Sequence, residues 1–323
     1  MHRIRHLLAL AALAITPLTT VQAPAASAGT PETSSADRVT IAVIGDVPYG
    51  AEQEATVGSL VDAVNDDPKV RLAVHVGDIK NGSTTCTDER IRAIRTLFDR
   101  FEDPMIYTPG DNEWTDCHRA NNGAFDPLER LALVRSLFFD HPGSALGRRP
   151  MTVDYQPSLV EDVRWVESRV AFATLHVIGS DNGAAPWTGL GFTAPTPEQA
   201  AEVDARIAAT VAWVDETFDA AEASGLRGVV LAMQADTFGP SPSPAQRAVI
   251  AEIEARTARF DGDVLLLQGD SHVFKVDHPL PVPNLTRIVV HGETLPFEYL
   301  RVTIDPRADQ LFSWQRVQVP PAA

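Results

Sequence analysis

The 323-residue chain carries 43 acidic residues against 27 basic ones, a formal charge of −16 at pH 7. That surplus argues against a nucleic acid or an anionic membrane held by bulk electrostatics, because either partner would be repelled. It leaves cation binding open, and the 44% hydrophobic content is enough to bury a sizeable α/β core.

The first residues have the pattern of a secretory leader. Arg3 and Arg5 precede the apolar run Leu7 to Ile15, and Ala26-Ser27-Ala28 is an A-x-A cleavage site. The run is too short for a stable membrane anchor. Residues 1–28 are therefore expected to be a signal peptide, and the protein to be secreted or held at the cell-envelope exterior. Residues 29–37 are polar and aperiodic and read as a linker. Residues 38–320 read as one domain, with a loop and helix insertion around 114–160.

The domain opens with strand–helix alternation. Val39 to Ile44, Leu72 to Val76 and Met105 to Thr108 are continuous apolar runs, the composition of strands buried on both faces. Between them, Val57, Leu60, Val61 and Val64, then Ile91, Ile94, Phe98 and Phe101, recur at helical spacing. Pro127 opens a further helix with Leu128, Leu131 and Phe138, and His141 to Gln156 reads as loop. Ala171 to Ile178 is the next strand, followed by a long helix after Pro197. Val229 to Met233 and Val264 to Leu267 are strands separated by a helix beginning at Ser241-Pro242-Ser243-Pro244. The last runs, Leu285 to His291, Phe297 to Ile304 and Leu311 to Val319, alternate and have no helices between them, so they read as antiparallel strands. The whole is the pattern of an α/β fold built on βαβ units.

Four of these segments end in Gly-Asp, at Asp46, Asp78, Asp111 and, within Gly269-Asp270-Ser271-His272, Asp270. In Asp46 the Gly-Asp follows the first strand directly, and in Asp111 it follows Pro109. Ligands bind beyond the carboxyl ends of parallel strands, and Asp and His are metal ligands. So many oxygen donors at one place would repel one another unless a cation compensated them. The only two cysteines, Cys86 and Cys117, each follow a Gly-Asp end, and an oxidising compartment favours their pairing. Such a bridge would tie together the loops after Asp78 and Asp111 and contribute about 3–4 kcal/mol through chain entropy. No Gly-x-Gly-x-x-Gly follows the first strand, which speaks against a dinucleotide-binding domain.

The order of these motifs resembles the calcineurin-like metallophosphoesterases. That family reads Asp-x-His, Gly-Asp, Gly-Asn-His-Asp/Glu, a lone His and Gly-His-x-His. The counterparts here are Asp46-Val47-Pro48, Gly77-Asp78, Gly110-Asp111-Asn112-Glu113, Gln234 and Gly269-Asp270-Ser271-His272. The resemblance implies a two-sheet β-sandwich flanked by helices, and two divalent metal ions that activate a water for attack on a phosphomonoester or phosphodiester. Asp78 would be shared by both metals, with Asp46 and His272 completing the first site. Asp111, Gln234 and Asp270 would complete the second. Its all-oxygen character favours Mg, Mn or Ca over Zn. The substrate would be a phosphorylated small molecule or polymer.

Several positions depart from the family pattern. Pro48 replaces a histidine ligand and cannot bind a metal. Asn112 falls where the catalytic histidine stands, and an amide can orient a phosphoryl oxygen but cannot act as a general acid. Glu113, Asp116 and His118 are within reach as replacements, and His118 is favoured because its ordinary pKa is near neutral. Shifting the motif by one residue instead makes Asn112 the ligand and Glu113 the acid. Asp236 could stand in for Gln234. Lys80 and Asn182 are candidates for substrate contact.

Overall fold

Alternation along β1 (Val39–Ile44) sets the layering of the molecule. Val39, Ile41 and Val43 face a core shared with a second sheet, while Ala42 and Ile44 face helices. A strand covered on both sides needs apolar residues at every position, which explains the unbroken run. The computed structural model describes residues 38–238 and 243–320. The expected signal peptide and linker (1–37), and Ser241 and Pro242, lie outside the described residues.

After β1 come α1 (Gly50–Thr56), α2 (Gly58–Asn65), β2 (Leu72–His75), α3 (Asp88–Phe98), β3 (Met105–Tyr107) and α4 (Pro127–Phe138). The chain continues through β4 (Asp154–Gln156), β5 (Leu159–Glu167), β6 (Val170–Thr174), the single turn α5 (Gly179–Asn182) and α6 (Pro197–Ala223). Then follow β7 (Gly228–Ala232), α7 (Arg247–Thr257), β8 (Asp263–Gln268), β9 (Lys275–Asp277), β10 (Leu285–Val289), β11 (Glu298–Ile304) and β12 (Phe312–Gln318). One sheet has the order β12-β11-β1-β2-β3 and the other β4-β5-β6-β7-β8-β10-β9.

The two sheets pack face to face through Ile41, Val74 and Val302 on one side and Phe172, Val230 and Leu265 on the other. The outer face of the first sheet is covered by α2, α3 and α4, through Leu60, Ile94 and Phe138 among others. That of the second is covered by α6 and α7, through Trp213, Phe218 and Ile253. The architecture is a two-sheet α/β sandwich flanked by helices. Three helices, α3, α4 and α6, start on a side-chain cap. Thr196 and Gln199 form a reciprocal capping box before Pro197, and Asp126 caps α4 ahead of Pro127.

Two details differ from the sequence reading. The hairpin β4–β5 occupies part of what reads as irregular chain. Its long strand carries Glu161 and Asp162 fully buried, so the apolar signature of a strand is absent. Among the C-terminal strands, β11 pairs antiparallel with β1 and β12, and β9 with β10, but β10 runs parallel to β8. The edge strand β9 makes the return between them, so no helix is needed for the crossover.

Candidate metal centre

The parallel strands β1, β2, β3, β7 and β8 deliver their following loops to one edge of the sandwich. Three carboxylate residues there lie in the left-handed region, Asp46 (φ 54°), Asp78 (φ 59°) and Asp270 (φ 70°), as do His272, Ser180 and Glu293. A non-glycine residue is uncommon there, Asp less so than most, and the strain of about 1 kcal/mol or more per residue persists only where the surroundings enforce it. Here the surroundings are each other. Asp270 N donates to both carboxylate oxygens of Asp46 (3.0 and 3.2 Å), and Asp46 N donates to Gly77 O. Gly110 is required for the same closeness: a Cβ there would overlap the Asp78 carboxylate.

The result is two overlapping sets of possible ligand atoms. Asp46, Asp78 and His272 form one, and Asp78, Asp111 and Asp270 the other, with the chosen atoms of each set all within 4.8 Å of one another. Asp78 belongs to both. His272 is oriented as a ligating histidine would be, with Nδ1 paired to Glu293 (2.6 Å) and Nε2 turned toward Asp46 Oδ1 (3.5 Å). Burial, reinforced by mutual repulsion, pushes the Asp78 carboxyl well above the usual carboxylate range. Burial does the same to Asp46, and it lifts Asp270 to about 7 with the charge of Asp111 adding to it. Carboxylates crowded this closely in a buried place are an unfavourable arrangement for a protein alone, and a suitable one around divalent cations. The donor set therefore fits a pair of hard metal ions.

Other side chains brace these carboxylates. Asp78 Oδ2 accepts from Tyr49 Oη (3.0 Å), Asn112 Nδ2 (2.8 Å) and Gln234 Nε2 (3.1 Å). Asp111 Oδ2 accepts from Ser180 Oγ (2.9 Å), and the same hydroxyl lies 2.7 Å from Asp116 Oδ1. The loops after β2 and β3 are joined by the Cys86–Cys117 disulfide, as expected from the two cysteine positions.

Not every residue singled out from the sequence is placed for the part expected of it. Gln234 reaches the centre, but its carbonyl oxygen accepts from Gly179 N (2.7 Å) and its amide nitrogen faces Asp78 and Asp111, so it presents a donor where a ligand was expected. Asn112 and Glu113 both point inward. Glu113 Oε1 accepts from Tyr107 Oη (2.6 Å), Gly110 N (2.6 Å) and Asp78 N (3.2 Å), which makes it a brace of the loop. Asp111 offers an oxygen to the second set of possible ligand atoms, while Asn112 donates through Nδ2 to Asp78 Oδ2. His118 Nδ1 accepts from Gly189 N (3.2 Å), holding the 115–118 turn against a neighbouring loop.

Lys80 is buried, with Nζ donating to Asn81 O and Asn112 O, so it is not free to meet a substrate. Asn182 is likewise engaged by Ile178 N, Arg206 and Ala245 O within its own loop cluster. Asp236 is paired with Arg287. The sequence reading missed Tyr49, Ser180 and Glu293, which brace the centre. Tyr49 lies close to Asp46 and Ser180 close to Asn182 in sequence, whereas nothing local marks Glu293.

No family model and no curated protein matches the chain. Among solved structures, it is similar to a dimetal phosphatase from Danio rerio (12% identity, 87% of this chain and 99% of that one, TM-score 0.46). It is also similar to GAP50, the anchor in the inner membrane complex of Plasmodium (10% identity, 88% and 89%, TM-score 0.43). A third is the purple acid phosphatase PPD1 from yellow lupin, Lupinus luteus (10% identity, 90% and 55%, TM-score 0.45). Fold and site together define a two-sheet α/β protein with a candidate dinuclear metal centre.

Proposed function

We propose that this protein is an exported metal-dependent phosphoesterase acting on a phosphorylated small molecule or polymer. The observation that carries this reading is the sharing of Asp78 between two ligand sets at the carboxyl edge of the sheets. Asp46, Asp78 and His272 would hold one metal, and Asp78, Asp111 and Asp270 the other. When bound, such a pair would polarise a phosphoryl oxygen and supply a nucleophilic water at neutral pH. Mg, Mn or Ca suits the oxygen-only second set better than Zn.

The chain's own residues would do the rest. Glu293 fixes the His272 ring. Gln234 and Asn112 hold the Asp78 carboxylate in place by donating to it, and Glu113 anchors the loop on which Asp111 sits. His118 keeps the candidate role of proton donor through Nε2, since its Nδ1 is the acceptor from Gly189 N. No helix among the described residues is long and apolar enough to cross a membrane.

The test is hydrolysis of a chromogenic phosphomonoester and phosphodiester across Mg²⁺, Mn²⁺, Ca²⁺ and Zn²⁺. Turnover with a hard divalent ion, abolished by chelation, is expected. A second reading, a catalytically degenerate binding protein of the cell envelope or exterior, is favoured by Pro48 and Asn112 standing where the family pattern has histidines. Tight metal binding with neither ester hydrolysed would select it.

A further inference from the structure

We propose that Arg119 is the oxyanion-binding residue of this centre, taking a non-bridging oxygen of the substrate's phosphoryl group. The inference rests on the phosphoesterase reading and adds to it the residue that recognises the phosphoryl group.

The acidic centre has few cations beside it. Lys80 is buried, with its ammonium group donating to backbone carbonyls. Arg287 is buried and held by Asp236 and Asp277. Arg119 is different, with 43% of its side chain exposed. Two neighbours fix its guanidinium. Nη1 lies 2.7 Å from Oδ2 of the buried Asp116, and Nη2 donates to Ser180 Oγ (3.3 Å).

That same Ser180 hydroxyl contacts Asp111 Oδ2, so the guanidinium stands one side chain away from a candidate ligand. A second route leads to Asp78. A Cβ placed on Gly82 would lie 3.0 Å from Asn112 Oδ1 and 3.3 Å from Arg119 Nη1, so both side chains lie against Gly82. The Asn112 amide in turn donates to Asp78 Oδ2.

The backbone beneath Arg119 is equally constrained. It follows the 3₁₀ turn Thr115–His118, whose Cys117 is disulfide-bonded to Cys86, and Gly189 packs directly against the His118 carbonyl. A guanidinium has five N–H donors in a rigid fork. Asp116 and Ser180 engage only part of that fork, leaving N–H donors over on a side chain that is 43% exposed. A positioned, partly solvated guanidinium with spare donors beside a metal-binding cluster is a site for a tetrahedral oxyanion.

Inorganic phosphate is the probe. Metal content is measured by elemental analysis, and phosphate affinity by calorimetry on Mg²⁺- or Mn²⁺-loaded protein. Wild type is expected to bind both. Arg119→Ala should keep the metal stoichiometry and fold but bind phosphate at least tenfold more weakly, with Arg119→Lys in between. Equal phosphate affinity in wild type and Arg119→Ala would overturn the proposal, as would metal-loaded wild type that binds no phosphate. Loss of metal from Arg119→Ala would also overturn it, since Arg119 would then be holding the ligands. If Arg119→Ala does not fold, Arg119→Gln, which keeps length and polarity without the charge, is judged by the same criteria. A wild type that binds no metal is a separate result: it removes the phosphoesterase reading itself, and this proposal with it.

Discussion

Replacing His75 by asparagine tests how the loops bearing Asp46 and Asp78 are held. His75 is fully buried at the end of β2. Its Nδ1 accepts from Gly77 N (3.1 Å) and its Nε2 lies 3.0 Å from Val47 O. Only the neutral ring protonated at Nε2 satisfies both partners. Burial accordingly lowers its pKa from 6.5 to about 4.

Above pH 6.5 the ring is neutral in both folded and unfolded chains, and it adds no pH dependence. Below 6.5 the unfolded chain takes up a proton that the folded one refuses, so stability falls with pH until the buried ring titrates near 4. At ~1.4 kcal/mol per pH unit, the gap corresponds to roughly 3 kcal/mol. The assay is urea unfolding of wild type and His75→Asn at pH 7, 5.5 and 4. Wild type should lose roughly 3 kcal/mol more than the variant between pH 7 and 4. Parallel losses in the two proteins would refute the neutral, doubly bonded ring.

Three further outcomes are expected. Glu113→Ala leaves three buried donors without their acceptor and should destabilise the protein by roughly 3 kcal/mol or more in urea unfolding; a change under 1 kcal/mol would contradict the bracing role. Without reductant, mass spectrometry should find Cys86 linked to Cys117, and Cys86→Ser should cost about 2–4 kcal/mol; free thiols would contradict it. Gln234→Glu puts a carboxylate where an amide now donates to Asp78 and Asp111. It should lower the melting temperature in chelator more than in excess Mn²⁺, and an equal effect in both would argue against a cation at that position.

The sandwich core was readable because its strands are buried on both faces. Val39 to Ile44 could hardly be anything else, and the Gly-Asp ends located Asp46, Asp78 and Asp111 on converging loops. What escaped the sequence was set by tertiary contacts. The strand β5 buries Glu161 against Arg135 and His176, a charge arrangement that conceals a strand in one dimension. Lys80 and Asn182 looked available as polar residues near motifs, yet backbone carbonyls and neighbouring loops already hold them. Gln234 was legible as a residue of the site but not its orientation, which depends on Gly179, 55 residues away in sequence. Glu293 reaches His272 only through folding, from a place where no motif marks it.

The central claim is that Asp78 is common to two metal sites. Elemental analysis of purified wild type and Asp78→Asn, each dialysed against the same Mn²⁺ buffer, tests it most directly. Close to two ions per wild-type chain are expected, and Asp78→Asn should lose affinity at both positions while remaining folded. Wild type without stoichiometric metal, or an Asp78→Asn variant that retains the full complement at unchanged affinity, would contradict the account.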